Sequence, residues 1–144
     1  MDSRKSQAVK YFKSGYNCAQ SVFLTYAKDF GFDDETALKL SSSFGGGMGR
    51  LREVCGAVSA MFMLAGLKYG YTDNDNDELK AKHYKLIQDM AKEFKKRNGT
   101  IICRELLGVD GEDNPIPSKR TEQYYLDRPC EKFIQDACEI FERG

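Results

Sequence analysis

The stretch FGGGMGRLREVCGAVSAMFMLAGLKY, residues 44–69, places a run of glycines directly before the most apolar segment of the chain. From residue 53 to residue 69, apolar side chains fall on nearly every side of a helical projection, which is typical of a central, buried helix. The segment is shorter than the ~18 apolar residues that a membrane span needs, and charged residues flank it. We therefore expect a core helix in a protein that is not embedded in a membrane.

Most of the remaining chain shows apolar residues at helical spacing, and no alternating strand pattern persists. The further predicted helices cover residues 3–14, 17–30, 33–45, 77–98, 100–108 and 129–142. Residues 108–123 are polar and contain two prolines, which predicts a loop. Because the segment after this loop is too short for a core of its own, the loop lies inside one domain. The sequence predicts an all-α fold: residues 1–144 form a single-domain bundle of about six or seven helices.

Charge and composition exclude several classes of function. The 144 residues carry 22 basic and 22 acidic side chains, so no overall field favours nucleic acid or an anionic membrane. The N-terminal segment lacks the apolar core of a secretory signal, which favours a cytoplasmic protein. In that compartment, five cysteines are more typical of reactive or metal-binding thiols than of permanent disulfides.

The glycine run has three interpretations. A nucleotide-binding loop would need a preceding strand, or a Lys-Ser or Lys-Thr pair, whereas Arg50 and Leu51 follow Gly49. The favoured interpretation is a tight turn that lets two helices approach closely. The third interpretation is a site for a small anion, in which free backbone N–H groups act beside two arginines. The candidate binding residues for that anion are Gly47, Gly49, Arg50 and Arg52.

Four of the five cysteines are predicted to lie in the first turn of a helix. The predicted caps are Asn17, Thr100 and Pro129, which place Cys18 first, Cys103 third and Cys130 second in their helices. Cys55 falls near the start of the helix that follows the glycine run, and only Cys138 lies well inside a helix. Unpaired N–H groups and the helix dipole favour an anion at these positions, so we expect lowered thiol pKa values there.

Four segments of the chain resemble one known family. They are YNCAQSV, FGGGMGRLREVCGAVSA, CRELLG and RPC, at residues 16–22, 44–60, 103–108 and 128–130. Together they resemble the C-GCAxxG-C-C proteins, a small helical family proposed to be redox-active, from Tyr16 to about Phe141. The resemblance implies that the four family cysteines are Cys18, Cys55, Cys103 and Cys130.

Two features of this chain depart from the family pattern. Cys55 opens the Cys-Gly-Ala-x-x-Gly motif, but Ala60 replaces its last glycine. We expect this change to alter how closely another helix packs there more than the chemistry at sulfur. Cys138 lies outside the pattern altogether. The family's genes often lie beside transporter genes, which implies a membrane transporter as a partner.

The leading functional hypothesis is a cytoplasmic thiol protein in which four catalytic cysteines converge, namely Cys18, Cys55, Cys103 and Cys130. One ionised thiol would attack a disulfide or oxidant, and a second would resolve the intermediate. Cys18 and Cys55 are the favoured pair, because the glycine run makes Cys55 accessible. The alternatives are four sulfur ligands for zinc or an iron–sulfur cluster, and a non-catalytic helical adaptor. The chain has no Cys-x-x-Cys motif, so cysteine spacing does not distinguish the redox hypothesis from the metal-binding one. The sequence also names neither a redox partner nor an oligomeric state.

Overall fold

The computed structural model describes residues 3–144, and this part of the chain is all-α, as the sequence predicts. Its eight α-helices are α1 (Arg4–Lys13), α2 (Cys18–Ala27), α3 (Asp34–Ser42), α4 (Gly56–Tyr69), α5 (Asp77–Asn98), α6 (Cys103–Leu107), α7 (Glu122–Asp127) and α8 (Cys130–Arg143). A 3₁₀ turn follows α2 at Lys28–Phe30, and a further turn occupies Gly45–Met48. Residues 3–144 contain no strand, and the only bridge between extended residues there joins Val54 to Ile102.

Helices α2 and α4 form the centre of the bundle. Helix α2 packs against α1, α3 and α4, while α8 covers α1, α4 and α5. From Gly56 to Met61 every residue of α4 is buried, which confirms the predicted central helix. One connected hydrophobic cluster includes residues of α1, α2, α4, α5 and α8. In the described part of the chain, no helix has the length and apolar character needed to cross a membrane.

Two glycines allow α2 to approach the segment before α4 closely. A Cβ atom at Gly56 would lie 2.8 Å from the carbonyl oxygen of Phe44 and 3.1 Å from the backbone nitrogen of Ala19. At Gly45, a Cβ atom would overlap the side chain of Asn17. These contacts agree with the tight-turn interpretation of the glycine run, because backbone must approach backbone there.

Two helix starts and one whole helix differ from the sequence prediction. Helix α4 begins at residue 56 rather than 53, and α6 begins at residue 103 rather than 100. Val54 and Ile102 are instead paired as extended residues, and hydrogen bonds from Cys55 to Ile101 and from Cys103 to Glu53 flank the pair. Helix α7 was not predicted, since residues 108–123 read as a loop and 124–128 carry no apolar stripe. It forms because the Thr121 side chain accepts a hydrogen bond from the N–H group of Tyr124, and because Tyr125 packs on Phe12.

Candidate functional site

Four cysteines line one partly open cavity of about 260 Å³, and they are Cys18, Cys55, Cys103 and Cys130. Other parts of its wall are formed by the glycine run, by several arginines, and by Pro115, Pro117 and Ser118. Cys138 is not among the lining residues; it is fully buried in α8, where its thiol interacts with Tyr26. The structure therefore brings together the four cysteines that the sequence singles out and leaves the fifth apart.

Each of the four cysteines lies at the start of a helix. Cys18, Cys103 and Cys130 are the first residues of α2, α6 and α8, and Cys55 is the residue before α4. The predicted position of Cys18 is confirmed, whereas Cys103 and Cys130 lie earlier in their helices than predicted. Local sequence explains the case of α2. The Asn17 side chain accepts a hydrogen bond from the Gln20 N–H group at 2.8 Å, and the Gln20 side chain accepts one from the Asn17 N–H group at 3.2 Å.

Paired backbone segments hold Cys55 and Cys103 beside each other. The N–H group of Cys55 donates to the carbonyl of Ile101 at 2.8 Å, and the N–H group of Cys103 donates to the carbonyl of Glu53 at 2.5 Å. The two segments are antiparallel, with Val54 opposite Ile102. Because a backbone ladder has only one register here, it determines where helices α4 and α6 can begin. It thereby places two thiols from distant parts of the sequence at one cavity.

The glycine run is a left-handed turn. Residues 46–50 all have φ between 62° and 69°, and Arg52 has φ 61°. Three of these residues are not glycine, namely Met48, Arg50 and Arg52, and each pays roughly 1–2 kcal/mol for the left-handed conformation. Strain of this kind persists only where surrounding contacts hold it, and it is concentrated at functional sites. Here the turn directs two strained arginines towards the cavity.

Gly47 brings the backbone of this turn against Cys103. A Cβ atom at position 47 would lie 2.5 Å from the Cβ atom of Cys103 and 2.8 Å from the Cα atom of Arg52. Both distances are far below van der Waals contact, and one of the atoms is backbone, so no side chain fits. Gly49, by contrast, has only the carbonyl oxygen of Ser43 nearby, at 3.8 Å.

Arg52 joins the cavity to the loop that precedes α7. Its side chain is only 3% exposed, and its Nη2 atom donates to Oδ2 of Asp113 at 2.8 Å. Its Nη1 atom lies 3.6 Å from Sγ of Cys103, within reach of a hydrogen bond to sulfur. Arg50 binds the same loop, since its Nε atom donates to the carbonyl of Asn114 at 2.7 Å. Hydrogen bonding from Arg52 lowers the pKa of Asp113, which keeps the ion pair charged at neutral pH.

Two further arginines reach the cavity from the residues on either side of α7, Arg120 before it and Arg128 after it. Arg120 donates to the carbonyls of Phe12 and Tyr16, both at 3.0 Å, and its guanidinium lies 5.0 Å from the centre of the Tyr124 ring. The guanidinium of Arg128 lies 5.2 Å from the same ring. The sequence pattern does not single out Arg120 or Tyr124, because they belong to a segment without apolar periodicity. Arg128 could be noticed only because it precedes Cys130 by two residues.

Burial raises the pKa of most thiols in the cavity. It raises the pKa of Cys55 to about 12, although the N–H groups of Val58 and Ala57 act in the opposite direction. Burial also raises the pKa of Cys103, against the effect of Arg52. The expectation that a position at a helix start lowers these pKa values is therefore wrong for Cys55 and Cys103. The dipole of a helix is a smaller effect than the loss of water around the sulfur.

Cys18 and Cys130 line the cavity together, and each affects the pKa of the other. The pKa of Cys18 is raised, first by hydrogen bonding with Cys130 and then by burial. The pKa of Cys130 is lowered by the same hydrogen bond, with Arg128, Arg120 and Arg52 adding to the effect and burial opposing it. The predicted activation of Cys18 or Cys55 is thus corrected. Among the cavity thiols only Cys130 has a lowered pKa, and the interaction with Cys18 is the largest cause.

The other candidate ligands have a less definite place. The cavity is lined by all four candidate anion-binding residues, Gly47, Gly49, Arg50 and Arg52, and their role in binding an anion stays a prediction.

The metal-binding alternative concerns the four cysteines. A metal site of four sulfurs requires the sulfur atoms to surround one centre at about 2.3 Å. Within residues 3–144, no group of three or more Cys, His, Asp or Glu side chains is arranged so that it could hold a metal ion.

These features define the class: a helical protein whose four thiols, from four helix starts, meet in a cavity bordered by arginines. The chain belongs to the C_GCAxxG_C_C family, whose model is described as "Putative redox-active protein (C_GCAxxG_C_C)" and matches residues 16–143. The resemblance found from the cysteine segments is thereby confirmed. Comparison with curated proteins and with solved structures found no match.

Proposed function

We propose that this protein is a cytoplasmic thiol–disulfide oxidoreductase in which Cys130 attacks and Cys18 resolves. The observation that carries the proposal is the joint position of Cys18 and Cys130 in the wall of one cavity, where the interaction with Cys18 lowers the pKa of Cys130. A thiolate is the attacking species in disulfide exchange, and Cys130 is the cavity thiol whose pKa is lowered. The resolving step needs a second thiol, and Cys18 lines the same cavity as Cys130.

The exchange proceeds in two balanced steps. The Cys130 thiolate attacks one sulfur of a substrate disulfide and forms a mixed disulfide, and the other half of the substrate leaves as a thiolate that takes up a proton. Cys18 then gives up its proton and attacks the sulfur of Cys130. The remaining half of the substrate leaves as a thiol, and a Cys18–Cys130 disulfide remains. The substrate disulfide is reduced to two thiols, and the two cysteines are oxidised.

Cys55 and Cys103 have a later role in this scheme. Their raised pKa values keep them protonated at neutral pH, so they do not compete for the first attack. They line the same cavity and can take over the disulfide from Cys18 and Cys130 by intramolecular exchange. That exchange oxidises Cys55 and Cys103 while it returns the first pair to thiols.

The first prediction is that mild oxidation links Cys18 to Cys130. Reduced protein would be treated with a limiting amount of 2-hydroxyethyl disulfide, alkylated, digested and mapped by mass spectrometry. We expect the Cys18–Cys130 peptide pair to form first. Cys130→Ser should abolish the reaction with the disulfide, and Cys18→Ser should trap the mixed disulfide on Cys130. The control variant is Cys138→Ser, which should react like the parent protein.

Two results would contradict the proposal. A first disulfide that involves Cys138, or none at all with the oxidant, would remove the assigned pair. About one zinc per chain, or the visible absorption of an iron–sulfur cluster, in protein purified without oxygen would favour the four-sulfur metal site instead.

We also propose the cytoplasm as the compartment, because all five cysteines are free and free thiols persist in a reducing environment. A thiol partner must then return the oxidised pair to its reduced state. A membrane transporter as a partner follows from the family resemblance alone.

The shared hydrophobic core supports the proposal that residues 1–144 form a single domain.

A further inference from the structure

The lining of the cysteine cavity is strongly basic. Within residues 3–144, four arginines and no acidic residue line it, and they are Arg50, Arg52, Arg120 and Arg128. Asp113, which lies behind the lining, pairs with Arg52 and so offsets one of these charges. The overall charge of the chain is zero, so this concentration of positive charge is a local property of the site. Walls of one sign focus the field and attract ligands of the opposite sign.

Three of the four arginines already have structural partners. Arg50 and Arg52 hold the loop at Asp113 and Asn114, and Arg120 donates to two backbone carbonyls. Arg128 differs, because its guanidinium makes no hydrogen bond or ion pair with any residue that the structure describes. Its one contact of note is with the ring of Tyr124, at 5.2 Å. A half-buried guanidinium with five unused N–H donors is suited to binding a ligand.

The position of Arg128 links this free group to the reactive sulfur. It stands two residues before Cys130, and its charge is felt at both Cys130 and Cys103. A guanidinium matches a carboxylate or phosphate with two parallel hydrogen bonds, which fixes orientation as well as charge. A cavity of about 260 Å³ accommodates a small molecule rather than a protein segment.

We propose that the cavity takes small disulfides that carry a carboxylate or similar anionic group, and that Arg128 anchors this group beside Cys130. The disulfide part of the inference rests on the proposed thiol–disulfide function, whereas the binding of an organic anion does not. Arg50, Arg52 and Arg120 supply the surrounding positive field, and Arg128 supplies the direct contact. Once Arg128 holds one end of the molecule, the disulfide bond of a short substrate lies within reach of the Cys130 sulfur.

A binding experiment tests the anion site without any redox step. The probe is suberate, a dicarboxylate with the length of dithiodipropionate and no sulfur, titrated into reduced protein by calorimetry. We expect saturable binding that weakens as salt rises, because salt screens the charges. Arg128→Gln should weaken binding about tenfold or more, the effect of losing a charged hydrogen bond. Arg128→Lys should retain part of the affinity for suberate that Arg128→Gln loses. Arg143→Gln, at the far end of α8 with a 70% exposed side chain, is the control and should bind like the parent.

A kinetic experiment tests the substrate class. Stopped-flow rates of thiol oxidation would be compared for dithiodipropionate, 2-hydroxyethyl disulfide and cystamine, which are anionic, neutral and cationic disulfides of similar size. We expect the anionic disulfide to react at least tenfold faster than the cationic one, and Arg128→Gln to remove most of that difference. Equal rates for all three, or no suberate binding, would overturn the anion site and leave the redox function standing. Suberate binding without reaction of any disulfide would overturn the redox function instead.

Discussion

At the scale of single residues, two opposing effects act on every thiol in the cavity. A helix N-terminus stabilises an anion by about 0.3–1 kcal/mol, and by up to about 2 kcal/mol in partly buried geometries. Raising the pKa of Cys55 from ~8.5 to about 12 corresponds to about 5 kcal/mol in the opposite direction. Where a cysteine has only backbone N–H groups beside it, burial therefore has the larger effect and the thiol pKa rises. Cys130 escapes because a thiol donor and three guanidinium groups act on it together.

The pH dependence of alkylation tests this assignment. We expect iodoacetamide to label Cys130 faster than Cys18, Cys55 or Cys138 at pH 7, because only Cys130 has a lowered pKa. Its rate should level off below pH ~8.5, the ordinary pKa of cysteine, as the thiolate becomes fully populated. The rate at Cys55 should keep rising up to about pH 12, where burial has moved its pKa.

Rates at each cysteine would be followed by mass spectrometry of digested samples. Protein unfolded in urea is the reference, since all five thiols should then label at similar rates. Faster labelling of Cys18 or Cys55 than of Cys130 in the folded protein would show that the helix-start field, rather than the arginines, selects the reactive thiol.

At the scale of structural elements, the left-handed turn at residues 46–50 connects the core to the site. Its backbone contacts Cys103 through Gly47, and its two arginines hold the loop at Asp113 and Asn114. A right-handed helical turn has negative φ angles, so the chain would follow a different path and these side chains would point elsewhere. The glycines are therefore needed for the path of the chain, as the tight-turn interpretation proposed.

Two glycine substitutions distinguish backbone strain at a positive φ from steric overlap of the added methyl group with its neighbours. Gly49→Ala adds a methyl group at φ 62° with only one atom near it, so we expect a loss of about 1–2 kcal/mol in the free energy of unfolding. Gly47→Ala has a similar φ of 69° but drives its methyl group into Cys103 and Arg52, which adds about 1–3 kcal/mol. Urea unfolding measures both values. Equal losses for the two variants would mean that the close contact at Gly47 is not present in solution.

At the scale of the whole molecule, the hydrophobic core and the cysteine cavity are built from the same helices. The helices whose packing forms the core, α2, α4 and α8, also begin at or beside the cavity. Folding therefore brings the thiols together and removes water from them in the same event. Stability must then depend on pH wherever a thiol titrates differently in the folded and unfolded chains.

Cys138 gives this dependence its clearest test. Its pKa is raised to about 12 by burial, so its contribution to stability is fully present below pH ~8.5 and is lost as the pH rises towards 12. As the pH rises from 8.5 to 10, we expect this loss to steepen from about 0.7 towards about 1.4 kcal/mol per pH unit. Cys138→Ala should therefore flatten the dependence of unfolding free energy on pH.

The measurement is a series of urea unfolding curves between pH 7 and 10. Ile134→Val is the matched control: it is also fully buried in α8, and it loses a methyl group without changing any titratable group. It should lower stability by about 0.5–1.5 kcal/mol at every pH and leave the slope unchanged. A slope in Cys138→Ala equal to that of the parent would show that this thiol ionises normally in the folded protein.

Local patterns in the sequence were enough to predict every helix except α7, and the family resemblance singled out the four cysteines. The apolar run at 53–69, the Asn17 cap and the glycine stops depend on residues within a few positions of each other, so they act before the chain folds. The placement of cysteines at helix starts follows from the same local rules. These patterns were less accurate at residues 53–55 and 100–102, where a backbone pairing with a distant segment replaces the helical hydrogen bonds.

Only the tertiary structure decided which thiol has the lowered pKa and which thiols share its cavity. Cys18 and Cys130 interact because α2 and α8 pack against the same core, a relation that no spacing in the sequence records. Arg120 reaches the site from an irregular segment, and Arg52 is buried through a left-handed turn. The pKa of a thiol depends on the water removed and the charges gathered around it. Both are set by residues distant in sequence, so the sequence alone determined the set of cysteines, and the fold determined their chemistry.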